Sequence, residues 1–252
     1  MALLTAGAAQ AVVVDFDDFY IRNGNGTIDA PWDSDLYVQE NTDQDGFVAS
    51  TPQGGQKVGY GTSAFHGFQL NQLQEVDWDK LSGPANLTAY LNIWVTDGTN
   101  YAVIASENDY RGDNLSTYNE WKIFEYGPSS DFDWLFDAGD GTRSAQYLQL
   151  NGVNATLADL ADNILVYAGP VGPTAGVGTG APRAGYGFNI IWGDTQANFT
   201  IGNPYEVDNV TVKWNNLNYE AGDPNAPVPE PATMTLLGLG LAGLIARSRK
   251  RA

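Results

Sequence analysis

Short stretches in which apolar side chains alternate with polar ones, or in which β-branched and aromatic residues cluster, recur along most of the chain. A period of two places successive side chains on opposite faces of a strand, so these stretches predict β-structure. The clearest are Val12 to Phe19, Leu87 to Val95, Tyr101 to Ser106, Trp121 to Phe124, Tyr147 to Leu150, Gly185 to Trp192 and Tyr205 to Trp214. Asp97-Gly98 lies between two of them and has the composition of a hairpin turn. One segment departs from this pattern. Leu157, Leu160, Ala161, Ile164 and Leu165 are spaced as the single apolar face of a helix, with Asn154 or Thr156 as its cap and Asp159 in its first turn. Gly169 to Gly185 is a loop rich in Gly, Pro and Ala, either mobile or laid across a face of the sheets.

Together these elements predict an all-β fold: an antiparallel β-sandwich with one short helix and a C-terminal hydrophobic helix. The expected layout is residues 1–11 as part of a signal peptide, 12–217 as the sandwich, 218–228 as a polar, Pro-containing linker, and 229–252 as a tail with a short transmembrane helix. Ala9-Gln10-Ala11 is a small-x-small triplet after a small, apolar run, which reads as the back half of a secretory signal whose start lies upstream.

Charge sharpens the picture. The net charge is −18, and Arg247, Arg249, Lys250 and Arg251 contribute +4 of it, which leaves −22 for residues 1–230. Such a body repels nucleic-acid phosphates, so no nucleic-acid partner is expected. Cysteine is absent, which excludes disulfides, thiol catalysis and thiolate metal sites. His66 is the only histidine, so a multi-histidine metal centre is excluded and a Ser-His-Asp triad would have to use that one residue. A structural role for His66 is the expectation.

The C-terminal stretch has three parts in fixed order. Pro229, Glu230 and Pro231 block helix upstream and favour an extended approach. Met234 to Ala246 then carries no charge, and it is shorter than the roughly 20 residues a permanent span requires. The Arg247, Arg249, Lys250, Arg251 cluster follows as a cytoplasmic stop. This arrangement resembles the PEP-CTERM sorting signal. The resemblance implies export, handling by an exosortase-type membrane enzyme, at least transient membrane contact through the tail, and an association with exopolysaccharide or biofilm in a Gram-negative cell envelope. Thr156-Leu157-Ala158-Asp159-Leu160, with Asp208-Asn209 in the late strand, resembles a recurrent ectodomain of such proteins, similar to concanavalin-like or jelly-roll sandwiches. In that plan the opening Val13-Val14-Asp15-Phe16-Asp17 strand pairs with the last.

Several residues are candidates for chemistry. Asn41, Asp43 and Asp45 before Gly46 place oxygen side chains at alternate positions, as the first half of a calcium loop does. The twelfth position is Pro52 rather than the Glu of an EF-hand, so that motif is rejected. Asp15 and Asp17 on the first strand and Asp208 on the late one form a second candidate set for structural calcium. Trp78 and Trp134 sit among aspartates and are the candidates for exposed rings that stack on sugars, whereas Trp94 and Trp192 lie in apolar strands and belong to the core. Glu107, Asp109, Glu120 and Glu125 supply carboxylates, but the Glu-x-Asp-x-x-Glu strand motif of concanavalin-like hydrolases is missing, so no catalytic residue is assigned. The expected function is a non-catalytic, exported matrix protein that takes extracellular polysaccharide as a partner. The alternatives are a glycoside hydrolase or lyase on the same fold, and a purely structural matrix protein.

Overall fold

A computed structural model describes residues 11–22, 36–83, 89–106, 115, 117–125, 131–168, 186–193 and 204–223. The first strands are β1 (Val12–Val14), β2 (Asp17–Arg22), β3 (Tyr37–Glu40), β4 (Phe47–Ser50), β5 (Lys57–Thr62) and β6 (Leu73–Ser82). Next come β7 (Tyr90–Thr96), β8 (Tyr101–Ala105), β9 (Lys122–Glu125), β10 (Gly141–Ser144), β11 (Tyr147–Leu150) and β12 (Val153–Asn154). The last are β13 (Leu165–Val166), β14 (Phe188–Trp192), β15 (Tyr205–Trp214) and β16 (Leu217–Ala221).

They form two sheets. The smaller has six strands in the order β1-β16-β15-β4-β3, with β6 also paired to β15. The larger has ten, in the order β10-β11-β9-β8-β7-β14-β5-β2, with β12 on β11 and β13 on β7. One apolar core unites them. It holds Phe47, Val207, Val212 and Trp214 from the small sheet and Tyr60, Leu91, Ile93, Phe188 and Ile190 from the large one. Alternation sends Trp94, Val103 and Ala105 to the other side of the large sheet, where they form a separate small cluster. Trp94 and Trp192 are both buried, as their apolar strands predict.

Phe65, in the turn after β5, joins the layers. Its ring centroid lies 5.1 Å from Phe188 of the large sheet, 5.1 Å from Trp214 and 5.2 Å from Tyr219 of the small one. The turn is held by the Thr62 hydroxyl, which accepts from the Ala64 amide at 3.1 Å, and by the His66 amide donating to the Ser63 carbonyl at 3.0 Å.

The sandwich differs from the expectation in three places. β1 pairs with the final strand as anticipated, but the pairing is parallel, with Val12 opposite Tyr219 and Val14 opposite Ala221. That final strand is β16, so Leu217–Ala221 belongs to the fold and Asn218 does not begin a linker. The predicted helix is a single 3-10 turn at Leu157–Asp159. Asp159 accepts from both the amide and the hydroxyl of Thr156 at 2.8 Å, so the cap forms. Propagation fails because the next backbone groups bond elsewhere: the Ala161 amide donates to the Leu135 carbonyl at 2.9 Å, and the Ile164 carbonyl accepts from Leu70 at 3.0 Å. The C-terminal hydrophobic helix, the partial signal peptide and the Gly169 to Gly185 loop all lie outside the described residues. Among the described residues no helix is long and apolar enough to cross a membrane.

Phe65→Ala removes the ring that touches both layers. The expected cost is about 3–5 kcal/mol, the range for deleting a buried phenylalanine. Urea unfolding of the variant should show the midpoint falling with the slope unchanged.

Candidate functional site

Acidic side chains gather where the two sheet edges and the turns between them meet. β1 runs through Asp15 and Phe16 into β2, and the Gly222 amide donates to the Val14 carbonyl at 3.0 Å, which brings Asp223 beside Asp15. Glu40 ends β3 in the same neighbourhood. Asp15 and Glu40 are held above the ordinary carboxylate range, first by desolvation and then by repulsion: Asp17 and Asp223 act on Asp15, and Asp15, Asp18, Asp17 and Asp223 act on Glu40. Asp18 is raised as well, by desolvation first and by Asp17 to a smaller degree. Burial and the same carboxylates push the Tyr60 and Tyr186 hydroxyls upward, and Tyr186 donates to Asp17 Oδ2 at 2.7 Å.

A second group forms at the turn between β3 and β4. The Asn41 side-chain amide donates to Asp45 Oδ1 at 2.9 Å and to Asp208 Oδ1 at 2.8 Å. The Val210 amide donates to the Asp45 carbonyl at 2.8 Å, and Gly46 lies so close to the Val207 carbonyl that a Cβ there would overlap it. Asp208 therefore joins Asn41 and Asp45, and Asp15 and Asp17 lie with Asp18, Glu40 and Asp223. The structure thus regroups the two candidate calcium sets, while Asp43 is exposed. The hydrogen bond that protonated Asp208 donates to the Asp45 carboxylate raises Asp208 above the usual range, with smaller help from desolvation and repulsion. Among the described residues, no three His, Asp or Glu side chains converge where they could hold a metal.

The signal for this pairing was partly available. Asn209 takes a left-handed backbone (φ 52°) beside a register shift between Asp208 and Thr211, a bulge that re-aims the neighbouring side chains. An Asp-Asn pair inside a long strand is the composition such a bulge favours.

Neither predicted sugar-stacking ring stands free. Trp78 is half-buried, packs on the core and is hydrogen-bonded to the Tyr205 side chain. Trp134 is half-buried in the helical turn Asp133–Leu135 and also packs on the core. Tyr167, 50% exposed, was not among the sequence candidates; its ring stacks on His66 with centroids 5.0 Å apart. Of the carboxylates considered for hydrolysis, Glu120 is exposed, while Glu107, Asp109 and the Glu125 side chain lie outside the described residues.

His66 has the structural role expected. Its Nε2 accepts the Gly187 amide at 3.0 Å, which fixes the chain entering β14. Burial disfavours the charged ring and lowers its pKa, and the neutral ring is the form that accepts this bond. The unfolded chain therefore takes up a proton that the folded one resists, and His66 destabilises the fold as pH falls below about 6.5. The raised carboxylates act in the opposite sense: the folded chain keeps their protons to higher pH, so they favour folding as pH falls through that window. Melting curves at pH 7.5 and 5 should separate the two. His66→Gln retains an acceptor and should gain stability on acidification relative to the parent chain. Asp208→Asn should raise the melting temperature at pH 7.5 and reduce the gain on acidification.

No curated protein and no solved structure matches the chain. Residues 227–250 match the PEP-CTERM protein-sorting motif, and within them Pro229, Glu230 and Pro231 precede the apolar run and the basic stop. The chain is thus an exported, cell-envelope or surface protein with an all-β body and a PEP-CTERM tail, and its sorting is the work of an exosortase, a membrane enzyme.

Proposed function

We propose that the body is a non-catalytic sandwich of the concanavalin-like or jelly-roll kind, which binds or builds the extracellular polysaccharide matrix of a Gram-negative envelope. The observation that carries this reading is the sorting motif at residues 227–250, attached to an acidic two-sheet body. Sheets present broad surfaces with many amide and hydroxyl groups, which suits hydrated polymers. A strongly negative body stays soluble there. The half-buried Trp78 and Trp134 and the exposed Tyr167 are the rings available for stacking.

Two experiments test this. In the first, residues 229–251 are fused to a secreted reporter in a host that has the sorting machinery. The reporter should move to the cell surface, and an unchanged distribution would remove the sorting assignment. In the second, the full chain in mild detergent is run through gels containing matrix polysaccharides. Retardation that weakens in Tyr167→Ala supports the glycan reading. Shortened polymer would favour a hydrolase or lyase, and neither effect would favour a purely structural matrix role.

A structural calcium ion is the cofactor we propose for the turn that holds Asn41, Asp45 and Asp208. Two carboxyls held together by a neutral amide would be relieved by a divalent cation. The full chain should then melt several degrees higher in calcium than in chelator, and Asp208→Asn should abolish the difference. Superimposable curves would exclude the ion.

A further inference from the structure

Asn92 and Asn189 face each other across β7 and β14, in the middle of the large sheet and on the side turned away from the small sheet. Their strand neighbours Leu91, Ile93, Phe188 and Ile190 all point into the core between the sheets. Both asparagines are enclosed, at 1% and 0% exposure. Asn189 Nδ2 donates to the Asn92 carbonyl at 2.9 Å and to the Tyr186 carbonyl at 3.3 Å. Among the described residues, no group bonds to Asn189 Oδ1, nor to either polar atom of the Asn92 side chain.

Among the described residues, the neighbours that Asn189 Oδ1 shares with Gly61 are apolar ring and side-chain carbons. This oxygen lies over Gly61, where a Cβ would come within 2.4 Å of it. Phe19 crosses Gly59 and Gly61 from the other side, with its ring 5.5 Å from Tyr186. Leaving one such buried group unpaired costs on the order of 1–3 kcal/mol, so three in one place would consume much of a domain's net stability. Asn92 offers a donor and an acceptor, and Asn189 offers an acceptor. The small molecule that matches this set of donors and acceptors and reaches the interior of any folded chain is water.

We propose that ordered water is an integral part of this sheet, bound between the Asn92 amide and Asn189 Oδ1. The pair then fixes the register of β7 against β14, because a one-residue slip of either strand would turn its amide into the apolar core and part it from the other.

Crystals of the full chain diffracting to about 1.5 Å should show water within hydrogen-bonding distance of Asn92 and of Asn189 Oδ1. A dry contact there, or density for a larger molecule, would overturn the proposal. Asn92→Leu gives a second readout that needs no crystal. With water in place, the leucine strands Asn189 Oδ1 and the melting temperature drops by several degrees. Were the atoms dry, removing two unpaired polar groups would raise it.

Discussion

The contact on which the rest of the structure depends is the Phe65 ring lodged between Phe188, Trp214 and Tyr219. A two-layer sandwich is stable only if the apolar faces of its sheets stay in register with each other, and strands of one sheet cannot set that for the other. Phe65 comes from neither sheet. It sits in the turn after β5, and its position is dictated by local hydrogen bonds to Thr62 and Ser63. The residue beside it, His66, bonds the amide of Gly187 and so ties the same turn to the start of β14. One short turn thus carries the aromatic joint between layers and a polar tie to a central strand. The sole histidine accepts this bond in its neutral form.

Much of the β-structure was legible, and the reasons for the misses are physical. Tyr147–Leu150 and Tyr205–Trp214 were read at their observed ends because alternation and β-branched content agree there. β5 was missed because Lys57–Thr62 is buried throughout and shows no alternation. Its glycines at 59 and 61 read as loop but in fact make room for the Phe19 ring and Asn189. β6 was missed because Leu73–Ser82 is rich in charge and its register against β15 shifts three times, which breaks the period. Two hairpin turns were written plainly and went unread: Asn151-Gly152 between β11 and β12, and Asn215-Asn216 between β15 and β16, all at positive φ. The second of these would have revealed β16. The Ser144 to Tyr147 turn could not have been read, since Ala145 and Gln146 adopt positive φ without the residues that favour it. The helix was misread because the spacing of buried residues around Leu157 to Ile164 comes from a winding connection whose backbone bonds other segments.

For the candidate site, the sequence supplied the members but not the grouping. Asn41, Asp45 and Asp208 each drew attention for their oxygen atoms, yet 163 residues separate the last two, and only the pairing of β15 with β4 brings them together. The sugar-stacking candidates are half-buried for a related reason. Flanking aspartates mark a strand face as half-wet, but they do not say which way a particular ring points, and both Trp78 and Trp134 turn toward the core.

The charge distribution relates the body to its tail. β1 and β16 run parallel at the sheet edge, so Asp223, the last described residue, lies beside Asp15 and close to Glu40. The apolar run begins at Met234, eleven residues further on, which is at most roughly 40 Å of extended chain. Any surface that seats the run therefore lies close to the most acidic end of the body. An anionic surface repels that end, and a cationic one attracts it. The acidic end and the Arg247 to Arg251 cluster are separated by the apolar run, so the tail's charges do not neutralise the body's when the run is buried. Charge in this chain is accordingly ordered along the sequence: negative through Glu230, absent through the apolar run, and positive from Arg247 to Arg251.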